Sequence, residues 1–340
     1  MVTFNKIRGG AVLMALVALV AALLTACGSD SDDSSSSAAP AAEQGALPAT
    51  ITHKFGSTEV TAVPKRVVSL GYTDQDALLA LGVVPVTVRN WDGMTTTKGA
   101  AVGAWATDLL KGQKPEIYNA EEIDPEAIAA MKPDLIVAVY SGIDKDTYDA
   151  LSKIAPVIAQ KADYADYEQP WDVTTEEIGA AVGQPKKAAE LVAGVKKKIT
   201  DLGAAHPNWK GKTVSVATYD GSALSAFSAA DPRTQFFTAL GFAPNTQVDQ
   251  AAGDKFYATL SLEEARKLDT DVIVWDQLSY APKGKQTILD QSALANLPAV
   301  KDNHSVYLEG ELEKAFGWQT VLSLGYVVDN IGTPLAQAVG

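Results

Sequence analysis

The stretch IDPEAIAAMKPDLIV (residues 123–137) returns in outline as LSLEEARKLDTDVIV (260–274), and that return decides the fold. Aligned without a gap, Glu126 falls on Glu263 and Asp134 on Asp271, eight residues past the glutamate in both copies. Each copy reads as a short helix followed by an apolar strand. Asp124 and Ser261 have the chemistry of N-caps, which puts Glu126 and Glu263 in the first helical turn, near the positive end of the helix dipole. Glu264 stands at capping-box spacing from Ser261. One chain therefore holds two versions of one helix-strand unit.

Outward from the first copy, ITHKFGSTEVTAV (51–63) alternates around Gly56 and Ser57 as a small hairpin. KRVVSLGYTDQDALLALGVVPVTV (65–88) comes next as strand, helix and strand, with Thr73 as N-cap and Gly82 as the stop. From about residue 171 the rhythm becomes helical. TTEEIGAAVG opens with Thr174 and Glu177 at capping-box spacing, and PKKAAELVAGVKKKITDLG puts Leu191, Val192, Val195, Ile199 and Leu202 on one stripe. Strands and helices then alternate again through KTVSVATY, TDVIVW and HSVYLEG to a last helix near Gln319 to Ile331. Such alternation implies parallel sheets covered on both faces. The expected architecture is α/β: an N-terminal lobe over residues 50–170, a connecting helical segment over 171–203 and a C-terminal lobe over 204–340.

The first 26 residues are not part of either lobe. Lys6 and Arg8 precede an apolar run from Ala11 to Leu24, too short for a comfortable span but suited to a signal peptide. The run ends in LLTACGSD, where Cys27 is the only cysteine, and this resembles the lipobox of bacterial lipoproteins. The resemblance implies cleavage before Cys27 and a lipid anchor on its thiol; two acyl chains give stable anchoring. A Ser/Ala/Pro-rich tether occupies residues 27–49, with a reach of roughly 25 Å. Residues 1–26 carry two basic side chains and no acid, so their loss takes the formal charge from −13 to −15. So acidic a chain, with no basic block, argues against nucleic acid as a partner.

Open α/β sheets bind ligands beyond the carboxyl ends of their strands, and two lobes would turn both sets of ends toward one cleft. Strand ends in the first lobe offer Tyr72, Thr73, Arg89, Trp91 and Tyr140, and those in the second offer Tyr219, Trp275, Tyr280 and Glu309. Overhanging loops add Trp105, Tyr164, Arg233, Phe316 and Trp318. The mature chain has four arginines; Arg66 and Arg266 read as surface positions, leaving Arg89 and Arg233 as forks for ligand oxygens. His53, His206 and His304 stand far apart in the sequence, which disfavours a bare-metal site. No Gly-x-Ser-x-Gly elbow and no Gly-rich phosphate loop is present, which disfavours a hydrolase.

PKRVVSLGYTDQDALLALGVVPV, the two copies of the repeated unit, and LPAVKDNHSVYLEG resemble ferric-siderophore-binding lipoproteins, the solute receptors of ABC importers. The resemblance covers residues 50–335. It implies two Rossmann-like lobes joined by a long backbone helix, the class III periplasmic-binding-protein architecture. It also implies docking through one acid per lobe onto the two permease subunits, at positions matched here by Glu126 and Glu263. The implied protein is a monomer on the outer face of the cell membrane, without a cofactor, since iron enters only as the chelated ligand. Haem or a corrinoid such as cobalamin remains open as cargo.

Overall fold

In the computed structural model, residues 1, 40–90, 102–119 and 122–340 are described. A hairpin of β1 (Ala49–His53) and β2 (Gly56–Val60) opens the fold, turning at Lys54 and Phe55, one step before the expected Gly56. Next come β3 (Val67–Ser69), α1 (Asp74–Ala80), β4 (Thr87–Arg89), β5 (Glu116–Tyr118), α2 (Pro125–Ala130), β6 (Leu135–Ala138), α3 (Lys145–Leu151) and β7 (Val157–Ala159). Two helices come after them, α4 (Trp171–Ala181) and α5 (Pro185–Ala205). The second half has β8 (Thr213–Tyr219), β9 (Leu224–Phe227), α6 (Pro232–Ala239), β10 (Ala243–Pro244), α7 (Thr246–Ala252), β11 (Tyr257–Leu260) and a 3-10 helix at Leu262–Leu268. It continues with β12 (Val272–Trp275), α8 (Lys285–Asp290), α9 (Ser292–Ala295), α10 (Pro298–Lys301), β13 (Ser305–Tyr307), α11 (Gly310–Trp318) and α12 (Ser323–Val339).

The first sheet has the order β5-β4-β3-β6-β7 and is parallel throughout. The second has the order β11-β9-β8-β12-β13, with β10 beside the start of β8. β9 is antiparallel to both β8 and β11, so β11 runs in the same direction as β8. This topology explains the repeated stretch. In each half it is the crossover from one sheet edge, β5 or β11, to the strand beside the centre, β6 or β12. The paired aspartates perform one task in both halves. Asp134 accepts the amides of Lys65 and Arg66 ahead of β3 (2.8 and 2.7 Å), and Asp271 accepts the amide and hydroxyl of Thr213 at the start of β8 (2.7 and 2.8 Å).

One helix serves both cores. Ala188 near the start of α5 packs into the cluster under the first sheet with Leu78, Val137 and Ile178, while Val195 and Ile199 pack with Val214, Val274 and Phe237 under the second. Leu191 touches both clusters. A helix has few soft degrees of freedom, so this joint is stiff compared with a two-strand hinge.

Two expectations need correction. The capping box at Thr174 and Glu177 is not the start of α4; the helix begins at Trp171 after Pro170, and both residues are buried inside it, where Gln169 donates to each. Nor is the tether free through residue 49. Residues 40–47 form a strap over the α4–α5 junction, in which Glu43 donates its amide to the Gly183 carbonyl (2.8 Å). The Glu43 carboxylate in turn accepts the Lys186 and Lys187 amides at 3.0 and 2.8 Å. Pro185 opens α5 and the Gln184 side chain makes no cap bond, so this distant carboxylate does the capping.

Candidate functional site

At the carboxyl end of β3, wholly buried Asp74 organises the loops around it. It accepts the Val139 and Tyr140 amides at 2.8 and 3.1 Å, so the chain leaving β6 is fixed against the start of α1. The Tyr72 amide donates to the Tyr140 carbonyl at 3.0 Å. Burial pushes the Asp74 carboxyl up to about 6 against the pull of these amides.

Tyr72, Tyr140, Tyr167 and Trp318 form one ring cluster. Tyr167 lies 6.2 Å from Tyr72 in a stacked arrangement and 5.3 Å from Tyr140 edge-on, and Tyr140 meets Trp318 of α11 at 6.4 Å, nearly perpendicular. The first three rings come from the loops of the first sheet, and Trp318 comes from the second half. The Tyr167 hydroxyl donates to the Ser141 carbonyl at 3.1 Å, and its backbone is left-handed (φ 68°). Gly142, also left-handed, makes room for it: a Cβ there would lie 2.3 Å from the Tyr167 hydroxyl oxygen. Burial pushes the Tyr140 hydroxyl up to about 12, opposed by the positive charge of Arg233. Below the cluster, Asp76 of α1 is also wholly buried, and it accepts the Thr320 hydroxyl and the Trp105 indole N–H. That carboxylate bolts the first half to the segment before α12, and burial raises it to about 6.

Both arginines expected as open forks are already engaged. Arg89 is 6% exposed, with its guanidinium 4.4 Å over the Tyr72 ring and Nη1 donating to the Ser141 carbonyl at 3.5 Å. Arg233 lies 3.5 Å over the Phe227 ring and grips Asp231 through Nε and Nη2, both at 2.8 Å. Its Nη1 is 3.9 Å from Asp276, whose carboxylate is wholly buried and takes no hydrogen bond of good geometry from any described residue. Burial pushes Asp276 up to about 7, with Arg233 and the Gln277 amide pulling the other way.

Several expected site residues lie elsewhere. Trp275 (0% exposed) and Tyr219 (5%) are core residues, because each is the last residue of its strand and still points into the pleat. The residue beyond β12 is Asp276. Phe316 is likewise in the core on α11, and Trp105 packs beside Tyr326 with its N–H held by Asp76. Thr73 is buried at the start of α1 without a side-chain cap bond. Tyr164 is half-buried and makes no ring contact with the cluster among the described residues, and Tyr280 is 62% exposed on a short turn. Glu309 is exposed at the start of α11. Trp91 and Cys27 lie outside the described residues. Tyr167, Asp231 and Asp276 were not anticipated. Only the run ADYADYEQP (162–170), already rich in tyrosine, pointed near one of them.

Glu126 and Glu263 are exposed and occupy equivalent places. Each stands in the first turn after a parallel-running edge strand, at the carboxyl-end side of its sheet. Asp124 caps α2 by accepting the Glu126 amide at 2.9 Å, and the Ser261 amide donates to Glu264 at 3.1 Å as the capping-box spacing predicts. The second helix is 3-10 instead of α. Two concave patches, of about 580 Å³ around Arg66, Glu116 and Met131 and about 490 Å³ around His206, Val328 and Asp329, lie apart from the ring cluster. Among the described residues no three His, Cys, Asp or Glu side chains are grouped to hold a metal ion.

The family model described as periplasmic binding protein matches residues 67–312. The Fe(3+)-citrate-binding protein YfmC of Bacillus subtilis is 33% identical over 258 residues, covering 74% of this chain and 75% of that protein. The probable siderophore-binding lipoprotein YfiY of the same organism is 29% identical over 296 residues, covering 84% and 86%. Among solved structures, PiaA of Streptococcus pneumoniae in complex with ferrichrome superposes with a TM-score of 0.70 at 28% identity, over 85% of this chain and 98% of that one.

Proposed function

This chain belongs to the periplasmic binding protein family, and we propose that it is a lipid-anchored extracytoplasmic receptor that binds a ferric siderophore at the ring cluster and delivers it to an ABC importer. Membership makes it a solute receptor and not an enzyme. The observation that carries the reading is the run of rings from Tyr72 through Tyr167 and Tyr140 to Trp318 of the other half of the molecule. Flat rings with polar tips suit an organic chelate that has apolar stretches and many oxygen acceptors. The chelator's own oxygens fill the iron's coordination sphere, so the receptor supplies walls instead of metal ligands. The names of similar proteins pair them with ferric citrate and ferrichrome, both iron chelates.

In this reading Cys27 carries the anchor, and YfiY, similar over most of its length, is named a lipoprotein. Glu126 and Glu263 are the docking pair for the two permease subunits, an assignment supported by their exposure and matched topological places. The single helix shared by both cores favours a small closing motion. The test is a titration of the purified protein with ferrichrome, ferric citrate, haem and cobalamin, monitored by tryptophan fluorescence. Saturation by a ferric chelate below about 1 μM is expected. Saturation by haem or cobalamin alone would reassign the cargo. Glu126→Ala combined with Glu263→Ala should abolish uptake and leave the titration unchanged; weakened cargo binding would place the two residues in the ligand site instead.

A further inference from the structure

We propose that the cargo is a chelate of zero or positive net charge, a ferric trihydroxamate, and that Asp231 sets this preference by neutralising Arg233; this rests on the ring cluster being the cargo site. The reason is charge. Two guanidinium groups bear on the cluster: Arg89 lies over the Tyr72 ring, and Arg233, held beside Asp276 just past the end of β12, acts through its charge on Tyr140. Asp231 takes Arg233 in a two-bond grip at 2.8 Å, and Asp276 stands 3.9 Å from its remaining nitrogen. Asp74 is a further carboxyl whose charge bears on Tyr140, and Asp166, which bears on Tyr167, is paired with Lys54 at 2.6 Å. Among the described residues, the two guanidinium charges are thus set against the carboxyls of Asp74, Asp231 and Asp276, which leaves no surplus of positive charge there for a polyanion.

An anionic chelate such as ferric citrate would have to displace Asp231 from Arg233 or sit beside it uncompensated, in a region where burial makes charge interactions strong. A ferric trihydroxamate asks for neither. A hydroxamate oxygen can accept a single hydrogen bond from the Tyr140 hydroxyl, and the chelate's apolar faces lie on the rings. Asp231 has a second task as the N-cap of α6, where it accepts the Arg233 amide at 2.8 Å. Asparagine keeps that cap while removing the charge, which makes Asp231→Asn a clean probe.

The purified protein would be titrated with ferrichrome (neutral), ferrioxamine B (cationic) and ferric citrate (anionic) under one set of salt conditions. The neutral and cationic chelates should bind at least about 100-fold more tightly than ferric citrate. Asp231→Asn should narrow that gap by about tenfold or more, by strengthening ferric citrate binding. Wild-type binding of ferric citrate as tight as that of ferrichrome would overturn the charge preference, and an unchanged ratio in Asp231→Asn would overturn the role of Asp231. Should that variant fail to fold, Asp231→Ser, which also keeps a capping oxygen without the charge, decides the role of Asp231 by the same ratio. Binding of none of the three would overturn the trihydroxamate assignment, while saturation by haem or cobalamin in the same titration would keep the receptor reading with another cargo.

Discussion

Replacing Gly142 by alanine adds one methyl group to a residue at φ 63°, and that group would lie 2.3 Å from the Tyr167 hydroxyl oxygen and 2.5 Å from its Cζ. Two costs arise, and they separate. Holding alanine in the left-handed region costs about 1–2 kcal/mol whatever surrounds it. Expelling Tyr167 forfeits its bond to the Ser141 carbonyl, worth about 1 kcal/mol, and its contacts with Tyr72 and Tyr140, each about 0.5–1.5 kcal/mol. About half of the Tyr167 side chain is solvated, which holds the second cost to about 1–3 kcal/mol. Gly142→Ala should therefore destabilise the protein by about 2–5 kcal/mol alone, but only by about 1–2 kcal/mol in a Tyr167→Ala background. Urea unfolding of the two single variants and the double variant measures the coupling. A coupling below about 0.5 kcal/mol would refute the claim that Gly142 exists to seat Tyr167 in the cluster.

Other parts of the fold lead to two further outcomes. Glu43→Ala removes the acceptor for the Lys186 and Lys187 amides and should lower stability by about 1–2 kcal/mol, read from the urea midpoint; an unchanged midpoint would show that the strap does not cap α5. Burial pushes the Glu177 carboxyl up to about 7, with the Gln169 side chain opposing. As pH rises from the ordinary glutamate range toward 7, the unfolded chain loses this proton before the folded one does. Stability should fall over that window, with Glu177 contributing up to about 3 kcal/mol. Glu177→Gln should flatten the fall, and an identical pH profile in the variant would remove Glu177 as its source.

Architecture was legible in the sequence wherever a local pattern answers to a repeated physical demand. The crossover units at 123–137 and 260–274 could be matched because each needs an exposed first turn, an apolar helix face, an aspartate to tie the neighbouring strand, and a buried strand. The stripe of α5 was legible for the same reason, since Val192, Val195 and Ile199 must all be buried. The site was less so. A strand's hydrophobic run does not reveal its last residue, and an error of one position exchanges a cleft residue for a core residue; Trp275 and Asp276 show the cost. Tyr167 depends on its own left-handed backbone and on a glycine 25 residues earlier, neither of which leaves a periodic trace. The approach of Arg233 to Asp276 likewise joins residues near α6 and β12 that only the folded sheet brings together. Glu43 lay inside a stretch whose composition resembles a linker, and its capping role exists only once the α4–α5 junction has formed.

The claim that cargo is held between the two halves at the tyrosine and tryptophan rings is tested most directly by locating the iron. Crystals grown with ferrichrome would be measured at the iron absorption edge to find its anomalous peak. The peak is expected beside the rings of Tyr140, Tyr167 and Trp318. A peak in the concave patch at Arg66 and Met131, or in the one at His206 and Asp329, would contradict it.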